Sequence, residues 1–293
     1  MNLLAIDWGS SSLRGALLNA SGKALQERAF EKGILAVAPG QFEEIFTACF
    51  GDWLTPDTLC LISGMAGSQQ GWQEAAYCNC PASFDDIATR LKWVEPGRIA
   101  IVPGLCTETG GVPDVMRGEE TQVFGALELL EIADAVLVLP GTHSKWVTVK
   151  DRQITGFSTW MTGEFYALLR RHSILARTLP PDEPALDAAG FEHGLAAAQN
   201  GPGLLHNAFS TRTLSLFGKM DAAALPSYLS GLVIGEELKA QPLQRGDPVV
   251  VVGAGELGAR YKQGLEYLGA AAILIGPEAT WRGLRAIADT LKT

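Results

Sequence analysis

The chain has 293 residues, of which 47% are hydrophobic and 19% are charged, and its formal net charge is −9. This length is enough for a large buried core and for two domains. The acidic charge disfavours nucleic acid and anionic membrane surfaces as partners, and no apolar stretch approaches the roughly 20 residues of a membrane-spanning helix.

The five cysteines are interpreted as reduced thiols, because no second Cys or His pair at metal-ligand spacing follows Cys78 and Cys80. The first residues follow a strand pattern and lack the basic region of a signal peptide. We therefore expect a cytoplasmic protein.

In the first half of the chain, hydrophobic periodicity and turn residues predict three consecutive antiparallel strands followed by strand–helix alternation. The predicted elements are strands over 2–7, 13–19, 24–30, 58–62 and 98–102 and helices over 41–53 and 119–131. An irregular segment is expected between the last of these strands and the second helix.

The second half repeats the opening pattern of three strands, although not its sequence. The predicted elements are strands over 136–140, 145–150, 153–159, 248–252 and 271–275 and helices over 162–172, 203–217, 222–240, 256–268 and 278–291. Such alternation in both halves implies an α/β fold, with mixed sheets flanked by helices. We expect one domain over 1–131 and a second over 132–293, with a cleft between them.

Two hairpin turns rich in Gly, Ser and Thr stand at equivalent places in the two halves. A turn of this kind directs successive backbone N–H groups and hydroxyls toward one point, which suits a phosphate. Together the turns predict a nucleotide held by two related domains. The candidate phosphate-binding residues are Gly9, Ser10 and Ser11 in the first turn and Gly141, Thr142, His143, Ser144 and Lys145 in the second.

Asp7 ends the strand that precedes the first of these turns. Mg²⁺ dehydrates reluctantly and tolerates water-mediated, carboxylate-poor sites, so Asp7 is the candidate metal-associated residue. The alternative is a plain hairpin in which Asp7 and the serines satisfy their own turn.

A Gly- and amide-rich loop follows strand 58–62, and its neutral donors and acceptors suit a polyhydroxy acid. Its candidate substrate-binding residues are Met65, Ala66, Gly67, Ser68 and Gln69. Arg117 is a candidate cation for a carboxylate, which a guanidinium matches well, and Arg14 is a further candidate substrate-binding residue because it is positively charged near the first turn. The loop also fits a simple strand-to-helix turn, and either arginine fits an exposed surface position.

A complete G-x-G-x-x-G run lies late in the chain, at Gly253, Gly255 and Gly258, between a buried strand and a helix. An acidic residue, Glu278, follows 20 residues after Gly258. This pattern makes an NAD-dependent dehydrogenase an alternative. In a kinase, Gly253, Ala254 and Gly255 would instead let the backbone approach the adenosine.

Four stretches of the first 160 residues resemble the 2-keto-3-deoxygalactonate kinase (2-dehydro-3-deoxygalactonokinase) family of the actin-like ATPase and sugar kinase superfamily. They are Asp7–Ser11, Ser63–Ser68, Met116–Gln122 and Leu139–Trp146. The resemblance implies two actin-like (ribonuclease H-like) domains, the first binding sugar and phosphate and the second binding nucleotide. It further implies ATP- and Mg²⁺-dependent phosphorylation of 2-dehydro-3-deoxy-D-galactonate on its 6-hydroxyl, in galactonate breakdown.

Glu119 and Glu120 begin a helix after Gly118. Acidic residues are favoured in a first helical turn by the helix dipole alone. Larger sugar kinases place a catalytic carboxylate at a similar helix start, and an alcohol kinase needs a base on the attacking hydroxyl. The resemblance therefore implies that Glu119, Glu120 or Asp7 is the base.

The second turn departs from the superfamily, because it reads Pro140-Gly141-Thr142-His143-Ser144 and lacks the Asp common there. This leaves Asp7 as the clearest metal-associated carboxylate. A non-catalytic, sugar-sensing actin-like protein is a further alternative, and it predicts a lost metal Asp or altered turns. The apolar helices between 203 and 240 suit either a core or a homodimer interface.

Overall fold

The computed structural model of the chain describes residues 2–291. Its backbone divides into two compact units, and each unit is assembled from separate stretches of the chain. The first unit contains the residues up to Leu137, Val147–Ser158 and the C-terminal stretch from Ile275. The second contains Val138–Trp146 and Thr159–Leu274. The predicted boundary between 131 and 132 concerns a division of function, and it stays a prediction.

Strands and helices alternate along most of the chain. The strands are β1 (Leu3–Trp8), β2 (Leu13–Leu18), β3 (Ala24–Phe30), β4 (Leu59–Gly64), β5 (Cys78–Asn79), β6 (Lys92–Glu95), β7 (Ile99–Ile101), β8 (Leu105–Thr109), β9 (Val112–Met116), β10 (Ala135–Leu139), β11 (Ser144–Lys150), β12 (Gln153–Trp160), β13 (Pro248–Val252) and β14 (Ala271–Ile275).

The α-helices are α1 (Phe42–Phe50), α2 (Phe84–Thr89), α3 (Glu119–Leu130), α4 (Thr162–His172), α5 (Ala188–Asn200), α6 (Leu204–Asn207), α7 (Ser210–Leu216), α8 (Leu225–Lys239), α9 (Gly255–Tyr267) and α10 (Glu278–Thr290). Within residues 2–291, no helix is both long and apolar enough to cross a membrane.

The strands form a six-stranded sheet in the order β3-β2-β1-β4-β7-β6, a five-stranded sheet in the order β12-β11-β10-β13-β14 and a three-stranded sheet in the order β5-β8-β9. In the first sheet, β1 is antiparallel to β2 and parallel to β4. Asp7, near the end of β1, pairs in register with Ser63, near the end of β4. The carboxyl ends of these two parallel strands therefore lie together at one edge of the sheet. The sheets therefore include a mixed one, as predicted.

The core of the first unit is aromatic and lies against β1 and β4. Trp8, Phe46 and Phe50 are almost fully buried there together with Leu4 and Ile6. The indole of Trp8 also donates a 2.9 Å hydrogen bond to the carbonyl of Lys32, so its polar atom is satisfied. This packing fixes the end of β1, where Asp7 lies.

Most predicted elements are present, with ends shifted by a few residues. The prediction of one helix over 203–217 is wrong, because the segment forms the two short helices α6 and α7. The prediction of an irregular segment after residue 102 is also wrong in part, because β8 and β9 form an antiparallel hairpin there. The helices α2 and α5 were not predicted.

Candidate active site

Asp7 lies at the carboxyl end of β1 between two neighbouring strands. Its partners in register are Arg14 on β2 and Ser63 on β4. The guanidinium of Arg14 donates a hydrogen bond to Oδ2 of Asp7, and the two form an ion pair. The Asp7 side chain is 18% exposed, so its carboxylate still reaches solvent.

Two glycines let the other motifs of the first unit approach Asp7. Gly64 ends β4 at φ +91° and Gly118 precedes α3 at φ +108°, where a side chain would be strained. A Cβ on Gly64 would lie 2.8 Å from the Trp8 carbonyl and 3.4 Å from Oδ1 of Asp7. A Cβ on Gly118 would lie 3.3 Å from Cα of Gly64. The three motifs around Asp7, Gly64 and Gly118 therefore meet at one place.

The two acids that begin α3 have different environments. Glu119 is partly exposed, and its carboxylate accepts a 2.9 Å hydrogen bond from the N–H of Arg117. Glu120 is fully buried, and its Oε2 accepts a 2.7 Å hydrogen bond from the N–H of Gly118. Its Oε1 is also buried and has no hydrogen-bond partner within residues 2–291.

Burial, together with the charge of Glu119, raises the pKa of Glu120 to about 8, although backbone hydrogen bonds and Arg117 act in the opposite direction. Glu120 is therefore largely protonated at neutral pH. The neighbouring Thr121 donates to the Gly118 carbonyl at 2.7 Å and bonds the Ser63 hydroxyl at 3.1 Å, which ties the helix start to β4.

Arg117 lies against the predicted substrate loop. Its Nη2 donates a 2.8 Å hydrogen bond to the Ala75 carbonyl, and its guanidinium stacks 4.4 Å from the ring centroid of Tyr77. A Cβ on Gly67 would lie 2.7 Å from Nη1 of Arg117, so the loop and the cation pack closely. The Nε and Nη1 atoms have no hydrogen-bond partner among the described residues.

The predicted substrate loop is held mostly by its own backbone. Ala66 and Gly67 are buried in a 3₁₀ turn, Met65 is half-buried, and the Ser68 hydroxyl donates to the Met65 carbonyl at 2.8 Å. Gln69 is exposed and borders a cavity of about 360 Å³, which Trp72 also lines. Gln69 is thus the exposed side chain among the five candidates of this loop.

The first phosphate turn is an exposed hairpin. The N–H of Gly9 donates to the Ser12 carbonyl at 2.9 Å, which closes the turn. The carbonyls of Gly9 and Ser10 accept hydrogen bonds from the N–H groups of residues 34 and 35. The side chains of Ser10 and Ser11 are exposed.

The second phosphate turn, Gly141–Lys145, lies against the first turn of α4. A Cβ on Gly163 would lie 2.4 Å from the Gly141 carbonyl, and the N–H of Glu164 donates to the Thr142 carbonyl at 2.9 Å. Nε2 of His143 lies 2.5 Å from a carboxylate oxygen of Glu164. Gly141 and Thr142 border a cavity of about 260 Å³ within the second unit.

Two side chains of this turn point inward. Lys145 is only 6% exposed, and its Nζ donates a 2.8 Å hydrogen bond to the Thr159 hydroxyl. Ser144 is fully buried, and its hydroxyl donates to Glu237 at 2.8 Å. Both side chains already have partners in the protein, so the exposed backbone of the turn is its more accessible part.

The predicted adenosine turn lies beside this second phosphate turn. A Cβ on Gly253 would lie 3.6 Å from Cδ of Pro140. Ala254 is the N-cap of α9, and Gly255 begins that helix at φ +62°. The start of the G-x-G-x-x-G run therefore lies close to the residue that precedes the second phosphate turn, within the second unit.

Arg260 on α9 lines the same cavity and was not predicted from the sequence. It is 7% exposed and donates to the Ser230 hydroxyl at 3.1 Å and to Glu256 at 3.3 Å. Its Nε has no hydrogen-bond partner in the part of the chain that the structure describes. Tyr166 also lines the cavity and donates a 2.6 Å hydrogen bond to Glu183.

Glu237 on α8 is a second functional candidate that sequence reasoning missed. It is 2% exposed, and it accepts hydrogen bonds from four side chains. The donors are Ser144 at 2.8 Å, Trp146 at 2.7 Å, Tyr261 at 2.7 Å and Thr162. Burial raises the pKa of Glu237, and the four hydrogen bonds oppose that shift. The sequence signal for Glu237 is its place in a pair of adjacent acids, Glu236 and Glu237, within a helix of mainly apolar residues.

Asp7 is the residue predicted to associate with Mg²⁺. Within residues 2–291, no group of three or more His, Cys, Asp or Glu side chains could hold a metal ion. A partly exposed carboxylate beside a turn of hydroxyls still fits Mg²⁺, which keeps several of its waters. The residues present therefore suit a water-rich Mg²⁺ site and not an all-protein cage.

Known proteins resemble this chain over almost its whole length. A family model described as 2-keto-3-deoxy-galactonokinase matches residues 7–287. The 2-dehydro-3-deoxygalactonokinase of Escherichia coli (strain K12) is 36% identical over an alignment of 293 positions that covers 98% of each chain. DgoK1 of Rhizobium meliloti (strain 1021), assigned to the same activity, is 38% identical over 272 residues, covering 90% of this chain and 89% of its own.

Solved structures agree with these sequence matches. A crystal structure from Sinorhizobium meliloti, assigned as a 2-dehydro-3-deoxygalactonokinase, has a TM-score of 0.90 at 36% identity and covers 99% of both chains. The activator of 2-hydroxyisocaproyl-CoA dehydratase from Clostridium difficile, solved with bound ADPNP, has a TM-score of 0.52 at 12% identity, with 100% of this chain and 96% of that one covered, and shares the fold alone. The predicted α/β fold is confirmed. Neither the dehydrogenase nor the non-catalytic sugar sensor is supported by these matches.

Proposed function

The chain belongs to the 2-keto-3-deoxy-galactonokinase family, and on that premise we propose that it transfers a phosphoryl group from ATP to the 6-hydroxyl of 2-dehydro-3-deoxy-D-galactonate. The observation that carries the proposal is the meeting of three family-like motifs around Asp7, Gly64 and Gly118 in a chain that matches the family over residues 7–287. The reaction serves the breakdown of galactonate.

The acceptor binds to the first unit in this proposal. The substrate carries a carboxylate and several hydroxyls, and these need a cation together with neutral hydrogen-bonding groups. Arg117 supplies the cation, because its half-buried guanidinium is fixed beside this loop by Ala75 and Tyr77. The loop over residues 65–69 supplies backbone groups and the amide of Gln69.

The base for the acceptor hydroxyl is Asp7 or Glu119, whose carboxylates reach the surface. A general base must come within hydrogen-bond distance of the proton that it removes. Glu120 is fully enclosed, so we assign it to the internal support of the α3 start instead. Arg14 balances the charge of Asp7 and orients its carboxylate.

Mg²⁺ is part of the proposal, and Asp7 would hold it. When bound, the ion would neutralise charge on the transferring phosphate. Gly9, Ser10 and Ser11 form the exposed turn that follows Asp7. The protein's own part is to position the reacting groups and to fix the polar groups around them in advance.

The nucleotide binds to the second unit, in the cavity that Gly141 and Thr142 border. The turn offers its backbone N–H groups, and His143 adds a partly exposed side chain to them. Arg260 adds positive charge inside the cavity, and the turn over Gly253–Gly255 approaches from α9. Ser144 and Lys145 support the turn through their internal hydrogen bonds.

The compartment and the oligomeric state belong to the same proposal. The five cysteines are free thiols, which agrees with the reducing cytoplasm. A homodimer stays a prediction, which size-exclusion chromatography with light scattering over a range of concentrations would test.

The deciding experiment is an ADP-release assay with Mg²⁺ and ATP, comparing 2-keto-3-deoxygalactonate, its gluconate epimer and no acceptor. We expect strong turnover with the galactonate-derived acid alone. Equal turnover with both epimers would leave a kinase of broader specificity, and no turnover with either would contradict the proposed function.

A matched pair of arginine variants sharpens this assay. Arg117→Met removes the cation proposed for the substrate carboxylate, so the KM for the sugar acid should rise by about tenfold or more, since a charged hydrogen bond is worth roughly 1.5–3 kcal/mol. Arg98→Met is the control, because Arg98 pairs with Glu95 on the surface of the same unit. An unchanged KM in Arg117→Met would remove Arg117 from the acceptor site.

A further inference from the structure

Glu237 connects the second phosphate turn to three helices of the second unit. Its Oε2 accepts hydrogen bonds from Ser144 on β11, Thr162 on α4 and Tyr261 on α9, and its Oε1 accepts one from Trp146. The carboxylate itself lies on α8 and is almost fully buried. One side chain thus ties together four elements that surround one cavity.

We propose that Glu237 is a positioning residue for the nucleotide phosphates, which it serves by fixing the turn over residues 141–144 against the first turn of α4. This inference rests on the proposed function, because it takes the second unit as the nucleotide-binding one. Glu237 itself does not touch the nucleotide.

The direction of the hydrogen bonds makes this role indirect. A carboxylate only accepts, so Ser144, Thr162 and Tyr261 must each donate their hydroxyl proton to Glu237. Those protons are then not available to a phosphate oxygen. The two hydroxyls nearest the turn, on Ser144 and Thr162, therefore act as anchors for their own backbones.

The anchored backbones are the ones that meet at the cavity. Ser144 ends the turn and Thr162 begins α4, and both are held by the same oxygen of Glu237. Immediately beside them, Gly163 approaches the Gly141 carbonyl and the N–H of Glu164 bonds the Thr142 carbonyl. Fixing Ser144 to Thr162 therefore fixes Gly141 and Thr142, which line the cavity.

A purely structural role explains this arrangement less well. Buried ionised groups are expensive, and apolar residues of similar size often pack at least as stably. What a carboxylate adds is a set of fixed directions, because all four donors must point toward it. A site that binds phosphate through backbone N–H groups benefits from such a fixed turn.

The test replaces Glu237 by its near-isostere Gln, with Glu236→Gln as the matched control on the same helix. Glu236 accepts a hydrogen bond from Asn207 and is not among the residues that line the cavity bordered by the phosphate turn. For Glu237→Gln we expect the Kd for ADP and the KM for ATP to rise about tenfold, as for one lost charged hydrogen bond, and the KM for the sugar acid to stay within about twofold. The control variant should match the wild type in all three.

Thr162 provides a second variant pair in case Glu237→Gln does not fold. Thr162→Val removes one donor and should weaken ADP binding, whereas Thr162→Ser keeps the hydroxyl and should restore it. Equal ADP affinity in Val and Ser variants would overturn the proposal. An unchanged Kd for ADP in folded Glu237→Gln would overturn it as well, and so would a parallel rise in the KM for the sugar acid.

The ADP measurement separates this inference from the proposed function. If the wild type binds ADP but does not phosphorylate the sugar acid, the proposed reaction fails while the Kd comparison still tests Glu237. If the wild type does not bind ADP at all, the positioning role is overturned too.

Discussion

Glu120 combines a buried carboxyl group with an unpartnered oxygen at the start of α3. Its Oε2 bonds the N–H of Gly118, while its Oε1 has no hydrogen-bond partner within residues 2–291. Burial is the largest cause that raises the pKa of Glu120 to about 8. In its protonated form the group avoids the cost of a buried charge, so the native environment selects that form.

Replacing Glu120 by Gln should change how stability depends on pH. The pKa in the folded protein lies above the ordinary value of 4.5, so proton binding favours the folded state. This contribution is fully present below that ordinary value and is lost as the pH rises through about 8. Gln does not titrate, so its contribution to stability does not change with pH. We therefore expect the free energy of unfolding of Glu120→Gln, relative to that of the wild type, to increase by a few kcal/mol from about pH 5 to about pH 9.

Urea unfolding at both pH values measures this difference. Glu131→Gln is the control, because Glu131 is exposed at the other end of α3. If wild type and Glu120→Gln lost stability in parallel with rising pH, the carboxyl group of Glu120 would not be protonated in the folded protein.

Helices α3 and α10 approach so closely that two glycines form their contact. A Cβ on Gly125 of α3 would lie 1.7 Å from the Ala279 carbonyl, and one on Gly283 of α10 would lie 1.8 Å from the Thr121 carbonyl. These are backbone atoms, so they cannot rotate away as a side chain would. The contact fixes α3, whose first residues are Glu119 and Glu120.

The substitution Gly125→Ala has two opposing effects on stability, one from helix propensity and one from the contact between α3 and α10. Propensity alone predicts that Ala stabilises a helix interior by about 0.5–1 kcal/mol relative to Gly. The backbone clash should outweigh this gain, and we expect a net loss of about 3 kcal/mol, at the upper end for overpacked sites. Gly156→Ala is the control, since its Cβ would meet only the Thr107 side chain at 3.6 Å.

Thermal and urea unfolding of the two variants measure the prediction. A Gly125→Ala protein as stable as the wild type would mean that α3 and α10 separate without cost.

The elements that the sequence predicted well are those with clear hydrophobic periodicity or clear turns. Helix α4 was predicted with its observed ends, and β13 and β14 with theirs. Helix α5 was missed because its buried face consists largely of small residues, including Gly190 and Gly194. A Cβ on Gly194 would lie 2.1 Å from the Tyr228 carbonyl, so the glycines serve close packing, which is a tertiary property.

The residues of the candidate site also divide into those that the sequence predicted and those that it did not. The motifs around Asp7 and Gly64 could be found from the sequence, because each lies at the end of a predicted strand. The motif around Gly118 was found through the family resemblance, because the segment before it was expected to be irregular. Arg260 and Glu237 could not be found from the sequence, since each lies on a helix whose partners are distant in the chain. Their roles depend on which helix face is buried, and the sequence near Glu237 offers two adjacent acids without distinguishing them.

At the scale of the whole molecule, a net charge of −9 opposes anionic ligands such as ATP and a sugar acid. Arginines lie at the candidate sites of both units, with Arg14 and Arg117 in the first and Arg260 in the second. At physiological ionic strength the charge of residues more than about 8 Å away is largely screened, so the net charge of the whole chain matters less at each site than these arginines and their acidic neighbours. The overall acidity is therefore compatible with two anionic ligands.

The assignment of one ligand to each unit predicts separate patterns of hydrogen–deuterium exchange. A ligand that binds only the folded state raises the free energy of opening around its site, by about 2.7 kcal/mol at one hundred times its Kd. Saturating ADP should therefore slow exchange in the second unit, around 141–144, 162–166 and 257–261, which border the cavity. The sugar acid alone should slow exchange in the first unit, around 65–75 and 117–121.

Mass spectrometry of peptides from each unit can follow both effects in the intact chain. Helix α7, Ser210–Leu216, is the internal control, because none of its residues lines the cavity. Protection of α7 equal to that of 141–144 would indicate a general stabilisation of the second unit instead of a local site. Binding of ADP without any protection of the cavity segments would remove the nucleotide from this cavity, because an occupied site must restrict the opening of the backbone that forms it.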